Sequence, residues 1–248
     1  VAVTHTDGAV AFDHVSFAYD DTRTILHDID LQAKPGAVVA LVGPTGAGKT
    51  TIMNLLTNLY PLQQGRVLLD NRDVTTIKQA NLRHLITVVQ QESYLFTLSI
   101  RENIRLGRPE ATDAEVEQAA IEANAHTFIT QLPDGYDTML SENASALSIG
   151  QRQLLSIARA FVTQAPILVL DEATAAIDSN TEALIQAAMS KLMQGKTSFV
   201  IAHRLSTIQA ADQILVIDQG HVIERGTHES LLAKNGFYAQ LYNAQFDA

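Results

Sequence analysis

The chain has 248 residues, 46% of them hydrophobic, enough to bury a sizeable core in one large or two small domains. Its formal net charge of -10 offers no clustered Lys/Arg excess for a nucleic-acid or anionic-membrane surface, and without Cys there is neither a disulfide framework nor a thiolate metal site. No apolar run approaches the roughly 18 uncharged residues that cross a bilayer, and Val1-Ala2-Val3-Thr4-His5-Thr6-Asp7 lacks a signal peptide's basic-then-apolar profile. The chain is therefore expected to be soluble as it stands; it starts without Met, which leaves room for membrane spans upstream.

Val10 to Tyr19 places larger apolar residues at alternate positions in two runs, and Ile25 to Leu31 follows the polar turn Asp20-Asp21-Thr22-Arg23-Thr24. Both read as antiparallel strands. Tyr19 ends the first, where its ring has two readings: a platform for an adenine, or an ordinary half-buried strand residue. After Lys34-Pro35-Gly36, Ala37 to Val42 is a six-residue apolar run that reads as a strand buried on both faces. It leads into Gly43-Pro44-Thr45-Gly46-Ala47-Gly48-Lys49-Thr50, and Lys49 to Tyr60 reads as a helix stopped by Pro61.

Gly65 to Asp70 makes another short strand, and Leu82 to Val89 ends in one that delivers Gln90-Gln91-Glu92. Helices are expected over Ile100 to Leu106, over Asp113 to Phe128 with Thr112 as N-cap, and over Gln151 to Val162. Pro166 to Glu172 returns to a buried strand ending in two carboxylates. A helix from Asn180 to Met193 precedes the buried strand Thr197 to Ala202, which ends at His203-Arg204. Ile214 to Asp218 and His221 to Glu224 read as a hairpin around Gln219-Gly220, and a helical stretch from Glu229 to Tyr242 closes the chain. The expected fold is α/β: a phosphate-loop core with a mainly parallel sheet, at about 1–91 and 165–248, an N-terminal antiparallel β part, and a helical insertion at about 92–164.

The chemistry starts at Gly43 to Thr50, a complete G-x-x-x-x-G-K-[ST] phosphate loop between a strand and a helix. Glycines let the backbone turn its N–H groups toward an anion, and the positive end of the helix points to the same spot. Lys49 is placed to reach β- and γ-phosphates and the Thr50 hydroxyl to ligate Mg²⁺; Thr51 completes the candidate cradle. From composition, a chance match arises only about a few times per thousand chains of this length. Asp171-Glu172, at the end of an apolar strand, suits the partner role: Asp171 to hold the metal through water, Glu172 to polarise the attacking water. Two acidic residues capping the next helix is the plainer alternative. His203 and Gln91, each after a strand, are candidates for a hydrogen bond at the γ-phosphate and for contact with metal or lytic water.

Leu147-Ser148-Ile149-Gly150-Gln151-Arg152-Gln153, about 20 residues before the acidic strand, resembles the signature motif of ATP-binding cassette (ABC) ATPases. The resemblance covers nearly the whole chain in order. It implies Tyr19 in the aromatic loop, Gly43 to Thr50 as Walker A, Gln91 in the Q-loop, Asp171 and Glu172 as Walker B, Ala175-Ala176-Ile177-Asp178 as D-loop and His203 as switch histidine. The runs Ile201 to Thr207 and Ile223 to His228 are similar to the exporter branch, in which this domain is fused behind a membrane domain. The family pattern implies ATP and Mg²⁺ as cofactors and a second nucleotide-binding domain as partner, identical or not. Ser148, Gly150, Gln151 and Asp178 would then act in trans on its ATP, at the cytoplasmic face of a membrane, with closure of the pair moving membrane helices. Tyr94 to Arg101 would face the membrane partner.

Two positions depart from that pattern: Ile149 stands where the family usually has Gly, and Ala175 where its D-loop usually has Ser. A branched side chain at 149 restricts backbone approach to a phosphate. Glu172 intact with Ile149 irregular suits the subunit of a heterodimer that lends its irregular signature to a weakened ATP site. Two alternatives remain: a regulatory ATP clamp with little turnover, against which Glu172 and His203 speak, and a non-transport cassette ATPase, which should show a coiled-coil insertion or basic surfaces.

Overall fold

The computed structural model describes residues 3–20, 22–90, 94–141, 144, 146–172 and 177–246. In chain order these form β1 (Val10–Ala18), β2 (Thr24–Ala33), β3 (Val38–Val42), α1 (Lys49–Leu56), β4 (Gln64–Leu69), β5 (Arg72–Asp73), α2 (Gln79–Leu85) and β6 (Ile86–Val89). Then come α3 (Ile100–Arg105), α4 (Asp113–Glu122), α5 (His126–Gln131) and α6 (Ile149–Thr163). The chain continues through β7 (Ile167–Asp171), α7 (Ser179–Met193), β8 (Thr197–Ile201), α8 (Leu205–Ala210), β9 (Gln213–Asp218), β10 (His221–Gly226), α9 (His228–Ala233) and α10 (Phe237–Phe246).

The chain divides into two compact units, one of residues 1–86, 166–172 and 195–248, the other of 87–165 and 173–194. In the first, the antiparallel sheet runs β2-β1-β4-β5 and the larger sheet orders its strands β10-β9-β3-β8-β7. Alternation explains the small sheet: Phe12 pairs with Leu31 on one side and Val67 on the other, and all three are fully buried. In the larger sheet β9, β3, β8 and β7 run parallel and β10 returns antiparallel. Val39 to Val42 and Thr197 to Ile201 are buried at every residue, as expected of strands covered on both faces.

In the second unit α6 packs against α3, α4 and α7, so the helix following the acidic strand groups with the helical segment. Thr112 starts α4 with a reciprocal capping box to Glu115. Hydrogen bonds from the Thr112 backbone and Arg108 hold the Glu115 carboxyl at about 2. Arg101 bonds Glu117 at 3.3 Å and lies 5.1 Å over the Tyr136 ring.

Helix ends depart from expectation for local reasons. α1 stops at Leu56, short of Pro61, because Asn58 takes a left-handed φ of 52° while Asn58 N–H donates to Leu55 O and Leu59 N–H to Asn54 O. That is a Schellman closure, set by Asn rather than by proline. Asn124 (φ 58°) likewise separates α4 from α5 and Asn235 (φ 50°) α9 from α10, where single helices were expected. Gln164, exposed, closes α6 at φ 57°, a conformation that costs an L-residue with a Cβ. Gln164→Gly is expected to stabilise the fold by roughly 0.5–1 kcal/mol and raise Tm by about 2–3 °C; a scan showing no rise would contradict that.

Candidate functional site

The register of the parallel strands sets the site. Ile201 of β8 pairs with Leu41 of β3 on one side and with Asp171 of β7 on the other. The chain therefore leaves these three strands at one edge, as Gly43, Glu172 and His203. The carboxyl ends of such strands are where open α/β sheets hold ligands.

The loop after β3 is shaped by contacts that admit no side chain. A methyl on Gly43 would lie 2.0 Å from the carbonyl oxygen of Ile217, and one on Gly48, at φ 110°, would lie 2.6 Å from Leu26 Cδ2. Gly220 N–H donates to Ala47 O and His27 N–H to Gly220 O, both at 2.9 Å, so the β9–β10 turn is stitched between β2 and the loop. A cleft of about 350 Å³ opens there, lined by Arg23, Ile25, His27, Gly46 and Gly220 among others. His27 stacks on His221 with ring centres 4.5 Å apart. Gly48 caps α1 without a side chain, which leaves first-turn N–H groups for an outside acceptor.

Lys49 is 9% exposed, and its Nζ donates to Gly43 O at 2.6 Å and Pro44 O at 2.8 Å. Burial lowers its pKa, opposed by the charge of Asp171. Pro44, Thr45, Gly46 and Thr50 are exposed, whereas Ala47 and Thr51 are buried. The Thr51 hydroxyl lies 3.0 Å from Tyr19 Oη, to which Asn54 Nδ2 also donates at 3.3 Å. Tyr19 is 47% exposed, with Phe17 and Tyr60 edge-on at 4.9 and 5.0 Å. The ring is anchored at its tip and sides and half open to solvent, as a stacking platform requires.

The two carboxylates beyond β7 differ in surroundings. Burial raises the pKa of Asp171, opposed by His203 and Lys49. Glu172 is 5% exposed and, among the described residues, accepts three hydrogen bonds: from His203 N–H at 2.8 Å and Arg204 N–H at 3.1 Å on Oε2, and from the Thr207 hydroxyl on Oε1. It does not cap the helix that follows; Asp178 does, accepting from Thr181 N–H at 2.9 Å. That bond holds the Asp178 carboxyl below its usual range.

In the second unit Ser148 caps α6 in a reciprocal box with Gln151: its hydroxyl accepts from Gln151 N–H at 3.1 Å, and its own N–H donates to Gln151 Oε1 at 3.0 Å. Ile149 is 48% exposed. Gly150 is buried, and a methyl there would lie 2.3 Å from Thr181 Cγ2, so close packing of α6 on α7 already demands glycine. The structure thus gathers Gly43 to Thr51, Tyr19, Asp171, Glu172 and His203 in the first unit. Ser148, Gly150, Gln151 and Asp178 lie in the second. Gln91, with Ala175 and Ala176, lies outside the described residues. The Arg204 amide and Thr207 are unanticipated; α8 was readable only as a short polar-apolar run after His203, and its presence would have marked Thr207 as a first-turn hydroxyl.

Residues 26–175 match the family model described as ABC transporter. The chain is 50% identical over 240 residues to the uncharacterized ABC transporter ATP-binding protein YfiC of Bacillus subtilis, covering 97% of the chain and 40% of that protein. It is 48% identical over 237 residues to a fatty acid ABC transporter ATP-binding/permease protein of Mycobacterium bovis, covering 96% and 38%. A putative multidrug export ATP-binding/permease protein of Staphylococcus aureus is also 48% identical, over 239 residues, with 96% and 41% covered. The chain therefore spans about two fifths of the length of these relatives. A solved bacterial Atm1-family ABC exporter with ATP bound superposes with a TM-score of 0.92 at 44% identity, over 99% of this chain and 43% of that one. With the phosphate loop, acidic strand and strand-end histidine at one sheet edge, these likenesses mean that the chain belongs to the ABC transporter family, as an ATP-binding domain of its ATPases.

Proposed function

We propose that this domain hydrolyses ATP to ADP and phosphate to power export by a membrane domain, and that it works as half of a head-to-tail pair. The observation that carries this reading is the convergence of Lys49, Asp171, Glu172 and His203 where β3, β7 and β8 end. Lys49 and the uncapped first turn of α1 would hold the phosphates, with Tyr19 under the adenine. Glu172 would take a proton from the attacking water, and His203 would contact the γ-phosphate.

The donors fit Mg²⁺. Thr50 offers an exposed hydroxyl, and burial alone disfavours the charge of Asp171, which a cation beside it would restore. Gln91 is proposed as a further oxygen ligand. When bound, the ion neutralises charge on the phosphate oxygens. Ser148, Gly150, Gln151 and Asp178 would then serve the partner's ATP.

Tyr94 and Phe96, 66% and 46% exposed and packed edge-to-face at 4.9 Å, are proposed as the docking point for the membrane domain at the cytoplasmic face. Permease fusion in two of the relatives supports that arrangement. An exposed Ile149 in a chain that also keeps Glu172 favours a non-identical partner.

Turnover by the isolated chain is expected to be poor and, per mole, to fall further across a roughly hundredfold dilution, because a half-site lacks the signature it needs. A rate per mole independent of concentration would refute the paired site. Tight ATP-dependent self-association of the Glu172→Gln chain would refute the need for a different partner.

A further inference from the structure

Glu172 is the proposed base, yet most of its acceptor capacity is used within the chain. A carboxylate offers about four acceptor positions. Among the described residues, donors fill two on Oε2, from the His203 and Arg204 amides, and one on Oε1, from the Thr207 hydroxyl. The position left for a water proton is therefore on Oε1, beside the Thr207 bond. The backbone donors restrain one oxygen, but a carboxylate held at one oxygen can still turn about its terminal torsion, whose energy profile is broad. Thr207, itself buried at 8% exposure on the first turn of α8, supplies the second point that fixes the plane.

We infer that Thr207 is a positioning residue for hydrolysis: its hydroxyl, with the His203 and Arg204 amides, orients the Glu172 carboxylate so that one lone pair of Oε1 meets the lytic water. The inference rests on the reading of Glu172 as the base. Thr207 touches neither nucleotide nor water in this scheme and acts only through Glu172. Its loss should lower kcat and leave ATP binding alone, because misplacing a reacting group by about 1 Å costs on the order of a hundredfold.

The test is steady-state ATP hydrolysis by the full-length transporter carrying this domain, with ATP affinity and Tm measured alongside. Thr207→Val keeps the shape and removes the donor; kcat should fall roughly ten- to hundredfold with KM and ATP affinity within about twofold. Thr207→Ser should restore kcat to within about threefold, and in a Glu172→Gln background Thr207→Val should lower the residual rate no further. Thr207→Val at the wild-type rate, or a raised KM at unchanged kcat, would overturn the inference. If Val impairs folding, Ser against Ala decides: Ser should exceed Ala about tenfold in kcat, and equal rates would overturn it. If Glu172→Gln itself keeps wild-type turnover, the base assignment has failed; if it is inactive while Thr207→Val is fully active, only the role of Thr207 has failed.

Discussion

Replacing Glu172 by Gln in the full-length transporter is expected to reduce steady-state ATP hydrolysis by roughly 10³-fold while leaving ATP affinity within about twofold. Both halves follow from the cradle. The Gln side-chain oxygen can keep accepting from the His203 and Arg204 amides, and its NH₂ group can donate to a Thr207 hydroxyl that has rotated to accept. Shape and hydrogen bonding survive, so Tm should stay within about 2 °C. What disappears is the basic oxygen lone pair. Radiolabelled ATP binding beside a phosphate-release assay separates the two quantities. Wild-type protein that binds ATP but shows no turnover with any partner would instead favour a regulatory clamp.

The second large effect concerns architecture. Gly43→Ala would put a methyl 2.0 Å from the Ile217 carbonyl oxygen, a backbone atom of a strand paired on both flanks by β3 and β10. No rotamer can relieve that clash, so either β9 or the loop must shift. A cost of roughly 3 kcal/mol is expected, read as a Tm lowered by about 10 °C. ATP affinity should fall at least tenfold as well, because Gly43 O and Pro44 O also hold the Lys49 ammonium. Calorimetry and nucleotide titration on the purified chain measure both, and a variant that melts and binds like wild type would contradict the packing described for this loop.

The parts legible in the sequence are those whose physics is local or periodic. Ala37 to Val42 and Pro166 to Leu170 are apolar at every position because both sheet faces are covered, and the residues ending them lie at the sheet edge. The mixed α/β fold, with its antiparallel and mainly parallel sheets, follows from that pattern and matches the exporter neighbour. Thr112, with Glu115 three residues on, carries its cap openly.

Other features depend on partners distant in sequence. Nothing near Gly150 discloses that Thr181 presses on it, and nothing near Glu172 discloses a hydroxyl 35 residues downstream. The left-handed Asn58, Asn124 and Asn235 were legible in principle, since Asn tolerates that conformation, but each sits in a segment whose apolar spacing runs on past it. Periodicity therefore overran the true helix ends. The proposed trans roles of Ser148 and Asp178 belong to a surface that a single chain does not complete.

The cap on α6 constrains how Ser148 can meet any ligand. Its oxygen already accepts from the Gln151 amide at 3.1 Å while its own amide is engaged by Gln151. What remains most available is the hydroxyl proton, a donor suited to an anion and held on a side chain whose rotamer was chosen when the helix formed. Ordering such a group costs little further entropy on association. The same bond makes Ser148→Ala ambiguous, since it removes a contact and frays a helix together. Ser148→Asp would separate them, because it keeps the cap and replaces a donor with a charge that repels phosphate.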